Sequence, residues 1–292
     1  MNPAQDQPPP TGMFSNNDYF SWNVRFTFIA CGFFFYLSVF VVTHFLSLYF
    51  SATYLLLNAR EKVFWILAAT RAVFGVQSLG AGLYTLLVDP VLSADIATAQ
   101  QDWSWFNILI AAGFFLFENV ALHISNMTFR TFDIPLAVHH FFAFMGFASV
   151  VLCDTTGHYL AMITLLMEMS TPFTCISWML LKAGWSSTLF WKINQWVMIH
   201  MFHCRIVLTY HMWYVCIYNW DQLIQRTPVP PLVILLTGLF LLTVILNPFW
   251  TYKKTLQLLT PVDWNFADKT EERTSFVEQN GEVAGIATKK KN

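Results

Sequence analysis

The sequence predicts an all-α integral membrane protein with about seven transmembrane helices. Of its 292 residues, 56% are hydrophobic and only 11% are charged, whereas a soluble domain carries roughly a quarter charged residues. The apolar residues form long blocks, and a hydrocarbon core is crossed by about 20 helical residues. The formal net charge of −1 gives no electrostatic reason to expect a nucleic-acid partner.

Seven apolar blocks define the predicted helices, with polar and helix-breaking residues between them. They cover residues 22–50, 63–88, 103–128, 134–153, 158–181, 193–218 and 231–251. The first block is too long for the core of a signal peptide, so we predict that residues 22–50 form a retained membrane helix. Residues 1–21 are rich in Pro, Gln and Asn, which predicts a disordered lumenal N-terminus.

Basic residues near the block ends predict the orientation of the chain. They flank the first, third and fifth connections and follow the last block: Arg60, Lys62, Arg130, Lys182, Lys192, Lys253 and Lys254. The other connections carry almost no positive charge apart from Arg226. This bias predicts a lumenal N-terminus and a cytosolic C-terminus, with Arg25 as a minor contrary signal.

Strongly polar residues lie inside five of the predicted helices. They are Arg71, Glu118, His139, His140, Glu168, His200, His203 and Arg205. Counted from the cytosolic basic residues, all lie roughly 12–21 Å deep at about 1.5 Å per helical residue. Because ionisable groups are costly in hydrocarbon, such a layer predicts a polar chamber with a function. Arg71 with Glu118, or Arg205 with Glu168, could equally be buried ion pairs that fix the helix register.

Three kinds of function could use this layer. A di-iron site needs more His than the four at this depth, a zinc site lacks a spacing signature, and the five Cys show no paired metal spacing, so we predict no metal. A neutral imidazole can attack a thioester and hold the acyl group, while a neighbouring His or carboxylate deprotonates the acceptor. A receptor or transporter would use the layer only for structure or lipid binding.

The end of the chain contains a separate signal. Lys289 and Lys290 occupy the fourth and third places from the C-terminus, within the polar tail 263–292. This Lys-Lys-x-x form is an address read by retrograde coatomer, not a membrane anchor. It predicts residence in the endoplasmic reticulum membrane with cycling through the intermediate compartment before the Golgi.

Several segments closely resemble the TLC-domain family, which would span residues 62–262. Examples are Ala69-Thr-Arg-Ala-Val-Phe-Gly-Val-Gln-Ser78, Glu168-Met-Ser-Thr-Pro-Phe173 and Pro261-Val-Asp-Trp-Asn-Phe266. The resemblance implies six helices forming a barrel around a central, lipid-accessible cavity. Ceramide synthases, the best-known enzymes of this family, use an adjacent His pair that His139 and His140 match. Their following His-Asp-x-x-Asp element is reduced here, with Glu168 as its one acid, so the resemblance implies acyl transfer to a different acceptor.

We therefore predict an endoplasmic reticulum lipid acyltransferase with acyl-CoA as co-substrate, no cofactor and a polar, phosphoglycerol-type lipid acceptor, supporting lysosomal lipid homeostasis. His139 or His140 would carry the acyl group, and Glu168 with His200 or His203 would move protons. Arg71, Glu118 and Arg205 would bind substrate. The alternative is a cargo receptor, because proteins that this chain resembles are described as exporting newly made lysosomal enzymes. That role would use the lumenal loops, which are short.

Overall fold

The computed structural model describes residues 17–131, 134–263 and 266, and these form an all-α protein. Seven long helices follow one another: α1 (Trp22–Phe50), α2 (Ala59–Leu87), α3 (Asp102–Phe129), α4 (Ile134–Leu152), α5 (Tyr159–Lys182), α6 (Leu189–Tyr218) and α7 (Val229–Leu259). The predicted fold class is confirmed. Most of the predicted disordered N-terminus, and the tail with Lys289 and Lys290, lie outside the described residues.

The long helices fall on the seven apolar blocks. Within the described ranges, six helices are both long and apolar enough to cross a membrane. Helix α6, with 30 residues, is as long as most of these helices but is not among the six. Short helices lie in three connections, at Ala52–Leu56, Pro90–Ala94 and Trp220–Arg226. An α-helix suits the membrane interior because it satisfies its own backbone hydrogen bonds where no water is present.

Helix ends are fixed by local sequence signals. Asn58 and Glu61 form a capping box at the start of α2, with Asn58 Oδ1 accepting from Glu61 N at 2.9 Å and Glu61 Oε2 accepting from Asn58 N at 3.0 Å. Thr188 accepts a hydrogen bond from Trp191 N at the start of α6. Arg130 ends α3 in a left-handed conformation, with φ of 51°.

Helix α1 packs directly against α3 through two glycines. A Cβ on Gly113 would lie 2.3 Å from the carbonyl oxygen of Ile29, and a Cβ on Gly32 would lie 2.7 Å from that of Ile110. Small residues allow helix backbones to approach closely within a membrane, where van der Waals contact drives helix association. The first helix is therefore an integral part of the bundle and not a loosely attached anchor.

Two irregular turns interrupt the long helices. Helix α5 contains a 3₁₀ turn at Met167–Ser170, and α7 contains a π turn at Leu242–Leu246. Pro172 and Pro248 follow these turns and lack the N–H that a regular α-helix needs there. Gly75 of α2 allows α5 to approach closely beside the 3₁₀ turn, because a Cβ at Gly75 would lie 2.6 Å from Pro172 Cδ.

A fully buried arginine ties together the end of the bundle that we predict to be lumenal. Arg25 Nε donates to the carbonyl oxygen of Tyr19, and Nη1 donates to that of Val151, both at 2.7 Å. Nη1 also forms an ion pair with Asp154 at 2.5 Å, and the guanidinium lies 4.6 Å from the Trp105 ring centroid. These contacts give Arg25 a structural role that the charge bias could not predict.

His158 beside this arginine makes the stability of the predicted lumenal end depend on pH. Burial, and secondarily the charge of Arg25, lowers the pKa of His158 from 6.5 to about 3. Between these values the unfolded chain binds a proton that the folded chain does not. The stabilisation is therefore complete above pH 6.5 and is lost as the pH falls, by up to about 1.4 kcal/mol per pH unit.

We expect the thermal unfolding temperature of the purified protein to fall as the pH drops from neutral to about 5. His158→Gln should reduce this pH dependence because it removes the titrating group. His123→Gln is the matched control, since His123 is exposed on α3 and should leave the pH dependence unchanged. An identical pH dependence in wild type and His158→Gln would contradict the assignment.

Candidate active site

Six helices, α2 to α7, surround a central chamber of about 860 Å³. This volume lies within the usual range for small-molecule sites. The polar residues that line it are Arg60, Arg71, Arg130, Thr131, His139, His140, Glu168, Thr171, Thr174, Arg205, Lys253 and Lys254. Cations outnumber acids in this set, so the chamber suits an anionic ligand. Four of the basic residues that mark the predicted cytosolic end, Arg60, Arg130, Lys253 and Lys254, line the chamber.

His139 is held between a carboxylate and an aromatic ring. Its Nε2 lies 3.5 Å from Glu168 Oε1, and its ring meets Trp250 edge-on with centroids 5.2 Å apart. Thr171 Oγ1 donates to the other oxygen of Glu168 at 2.5 Å. The His139–Glu168 separation exceeds an ordinary hydrogen bond, as is common in catalytic sites without substrate. Glu168 is thus positioned to orient the His139 imidazole.

His140 is buried beside a second carboxylate. Its Nε2 lies 3.8 Å from Glu118 Oε1, and its Nδ1 has no hydrogen-bond partner among the described residues. The same Glu118 oxygen accepts from Arg71 Nε at 2.8 Å and also forms an ion pair with Arg71 Nη2. The possible Arg71–Glu118 ion pair is therefore present. The two adjacent imidazoles, with ring centroids 5.2 Å apart, each face a different carboxylate.

Arg205 presents unsatisfied donors at the chamber. It is 3% exposed, and Nη1 donates to Ser170 Oγ at 2.8 Å. Its Nε and Nη2 are buried without a hydrogen-bond partner in the described part of the chain. The alternative ion pair between Arg205 and Glu168 does not form among the described residues. Because guanidinium matches the geometry of phosphate and carboxylate, Arg205 is suited to bind an anion from the chamber.

The structure does not bring His200 and His203 to the chamber, contrary to the prediction. Both side chains are exposed on the outer face of α6, and neither is among the described residues that line the chamber. His200 stacks on Trp196, with its Nδ1 2.8 Å from the Trp196 carbonyl oxygen. Successive helical residues turn by about 100°, so His203 lies about 200° from the inward-facing Arg205.

Three neighbours of the predicted residues were missed. Thr171 donates a hydrogen bond to Glu168, and Ser170 accepts one from Arg205. Trp250 packs against both His139 and Arg205. Thr171 follows Glu168 by three residues, which places both on the same helical face and is a usable signal. Nothing in the sequence distinguishes Trp250 from the other tryptophans near helix ends.

A narrow apolar cleft of about 120 Å³ adjoins the chamber. His139 and Glu168 line both cavities and so mark the junction. The cleft lies between α4, α5 and α7 and is bordered by Phe142, Phe147 and many other apolar side chains. From His139 to Val150 it follows α4 towards the predicted lumenal end, a length of roughly 16 Å at the helical rise per residue.

These features define a class of protein. It is a polytopic helical membrane protein with paired imidazoles and carboxylates in a chamber between six helices. The chain belongs to the TLC-domain family, whose model matches residues 64–254. It is 62% identical to human Protein CLN8 over 283 residues, which cover 97% of this chain and 98% of that protein. Dog Protein CLN8 is 61% identical over the same length. No solved structure matches the chain.

Proposed function

We propose that this chain is a lipid acyltransferase that moves an acyl chain from acyl-CoA, through an acyl-imidazole on His139, to a phosphoglycerol-type lipid. The observation that carries the proposal is the position of His139 and Glu168 where the chamber meets the apolar cleft. Acyl-CoA has an anionic nucleotide and an apolar chain joined at a thioester. The cation-lined chamber suits the first part, and the apolar lining of the cleft suits the second.

In the first step, His139 attacks the thioester. When Nε2–H faces the Glu168 carboxylate, the lone pair of the neutral imidazole is on Nδ1. Nδ1 forms a bond to the carbonyl carbon, the carbon–sulfur bond breaks, and the CoA thiolate leaves through the chamber. Glu168 compensates the positive charge of the resulting acyl-imidazolium.

In the second step, a hydroxyl of the acceptor attacks the acyl carbon. His140 takes the hydroxyl proton at its unpartnered Nδ1, while Glu118 faces its other nitrogen. The new carbon–oxygen bond forms, the carbon–nitrogen bond breaks, and its electron pair returns to His139. The proton then passes from His140 to solvent in the chamber, which restores the resting site.

Arg205 supports a phosphodiester acceptor. Its buried Nε and Nη2 have no hydrogen-bond partner among the described residues, and two guanidinium donors can bind two phosphate oxygens at once. The charge of Arg71 is already balanced by Glu118, so Arg71 is less suited to this role. Binding a lipid phosphate at Arg205 would hold the acceptor beside the acyl group.

The proposal is tested by trapping the acyl-enzyme. Purified protein incubated with palmitoyl-CoA and no acceptor should gain one palmitoyl group on the peptide that contains His139, measured by mass spectrometry. Adding a glycerophosphodiester should remove this group and yield the acylated lipid, whereas sphingosine should not. Absence of both the adduct and the acylated phosphoglycerol product would contradict the proposal.

A cargo-receptor role is the second candidate, and the tail motif is the observation that favours it. Lys289→Ala together with Lys290→Ala should move the protein towards the Golgi, because coatomer would no longer recognise the tail. Fluorescence colocalisation with organelle markers measures this shift, and Lys291→Ala is the matched control outside the two motif positions. An unchanged distribution of the double variant would count against a working retrieval signal.

A further inference from the structure

Two glycines on neighbouring helices leave open space along the apolar cleft. Gly146 of α4 and Gly238 of α7 both line the cleft, and a Cβ built on either meets nothing within 4 Å. This differs from Gly75 and Gly113, whose missing side chains allow tight helix contacts. The space beside Gly146 and Gly238 therefore belongs to the cleft itself.

The two glycines lie at different distances from the proposed nucleophile. Gly146 follows His139 by seven residues on α4, which is roughly 10 Å at the helical rise. On α7, Gly238 precedes Trp250 by twelve residues, roughly 18 Å, and the Trp250 ring contacts His139. A chain that starts at His139 and extends along the cleft reaches the level of Gly146 before that of Gly238.

We propose that Gly146 and Gly238 set the length of the acyl chain that the protein accepts, by keeping the cleft open at two successive depths. This inference rests on the proposed acyl transfer. The occupant is the alkyl part of a long-chain acyl thioester whose carbonyl carbon lies at His139, because His139 and Glu168 connect the cleft to the chamber. The cleft is narrow, so a larger side chain at either glycine leaves little room for an alkyl chain to pass.

Graded acyl-CoA substrates test this arrangement. With Gly146→Leu we expect octanoyl transfer to remain, while lauroyl, palmitoyl and stearoyl transfer fall at least about 10-fold in kcat/KM, since each methylene excluded from an apolar pocket costs about that much or more. Gly238→Leu should retain octanoyl and lauroyl transfer and selectively lose stearoyl transfer. Gly146→Ala, with its smaller side chain, should show a weaker version of the first result.

Gly80→Leu is the matched control. Gly80 of α2 also has open space where a Cβ would lie, but it is exposed and lines neither cavity. This variant should keep the wild-type chain preference and thereby separate an effect of the cleft from a general effect of adding Leu. Unchanged preferences in Gly146→Leu and Gly238→Leu, with active wild type, would overturn the inference and leave the proposed function intact.

A second measurement decides the case in which wild type transfers no acyl chain. Palmitoyl-CoA with a photoreactive diazirine near the end of its chain should cross-link to α4 and α7 beside the cleft, and Gly146→Leu should abolish these cross-links. Missing transfer together with these cross-links would contradict the proposed acyl transfer. It would still support a cleft that binds an acyl chain and whose usable length depends on the two glycines. Cross-links elsewhere, or cross-links that persist in Gly146→Leu, would overturn the inference.

Discussion

Replacing His139 by Ala is expected to lower acyl transfer at least about 10⁴-fold, because loss of a covalent nucleophile removes the intermediate altogether. His140→Ala should have a smaller effect, about 10²–10⁴-fold, which is typical of losing a general base. The difference is expected because His139 lines both cavities, whereas His140 lines the chamber but not the cleft. Steady-state transfer from palmitoyl-CoA to a glycerophosphodiester measures both variants.

The control for this experiment removes two imidazoles from the outer face of α6. A double variant, His200→Ala with His203→Ala, should retain the wild-type rate because both side chains point away from the chamber. Folding of each variant is checked by thermal unfolding. An active His139→Ala enzyme, or an equal loss in the α6 double variant, would contradict the assignment of the nucleophile.

Replacing Glu118 by Leu is expected to destabilise the protein by about 3–5 kcal/mol, because it leaves a buried positive charge that no longer has its carboxylate. Glu118 is fully buried and accepts from Arg71, which is 8% exposed. The double variant Arg71→Met with Glu118→Leu should recover most of this loss, since an apolar pair avoids the cost of burying a charge. Denaturant unfolding in detergent of wild type, both single variants and the double variant measures the four free energies of this double-mutant cycle.

Glu61→Leu with Lys182→Met is a matched comparison for the same cycle. Glu61 and Lys182 form an ion pair at the predicted cytosolic end at 2.5 Å, and neither side chain is fully buried. The coupling energy between Glu61 and Lys182 should be smaller than that between Arg71 and Glu118, because solvent screens partly exposed charges. If the Glu118 single variant were no less stable than the double variant, the pair would not be the register-fixing contact that the geometry indicates.

Depth along a helix could be predicted from the sequence, but depth does not determine the direction in which a side chain points around the helix. Arg71, Glu118, His139, His140 and Glu168 all reach the region around the chamber, as their shared depth predicts. Depth alone also placed His203 with Arg205, although residues two apart point to nearly opposite sides of a helix. Depth combined with the angle around the helix predicts that Arg205 faces the chamber and that His203 does not.

Other parts of the site depend on contacts between distant segments. Trp250 reaches His139 and Arg205 because the π turn before Pro248 changes the register of α7, and no local pattern specifies where that turn packs. The helix blocks, by contrast, follow from apolar composition alone and could be predicted well. Which neighbour each helix selects is decided by shape, as the close approach at Gly75 shows.

The Arg25 contacts constrain the order in which the newly made chain can assemble. Val151, which accepts from Arg25, lies 126 residues further along the chain. At cellular rates of translation, its synthesis follows that of Arg25 by roughly ten seconds. During that interval a charged guanidinium must remain at the membrane surface in water, so the first segment cannot settle at its final depth until the fourth has been inserted.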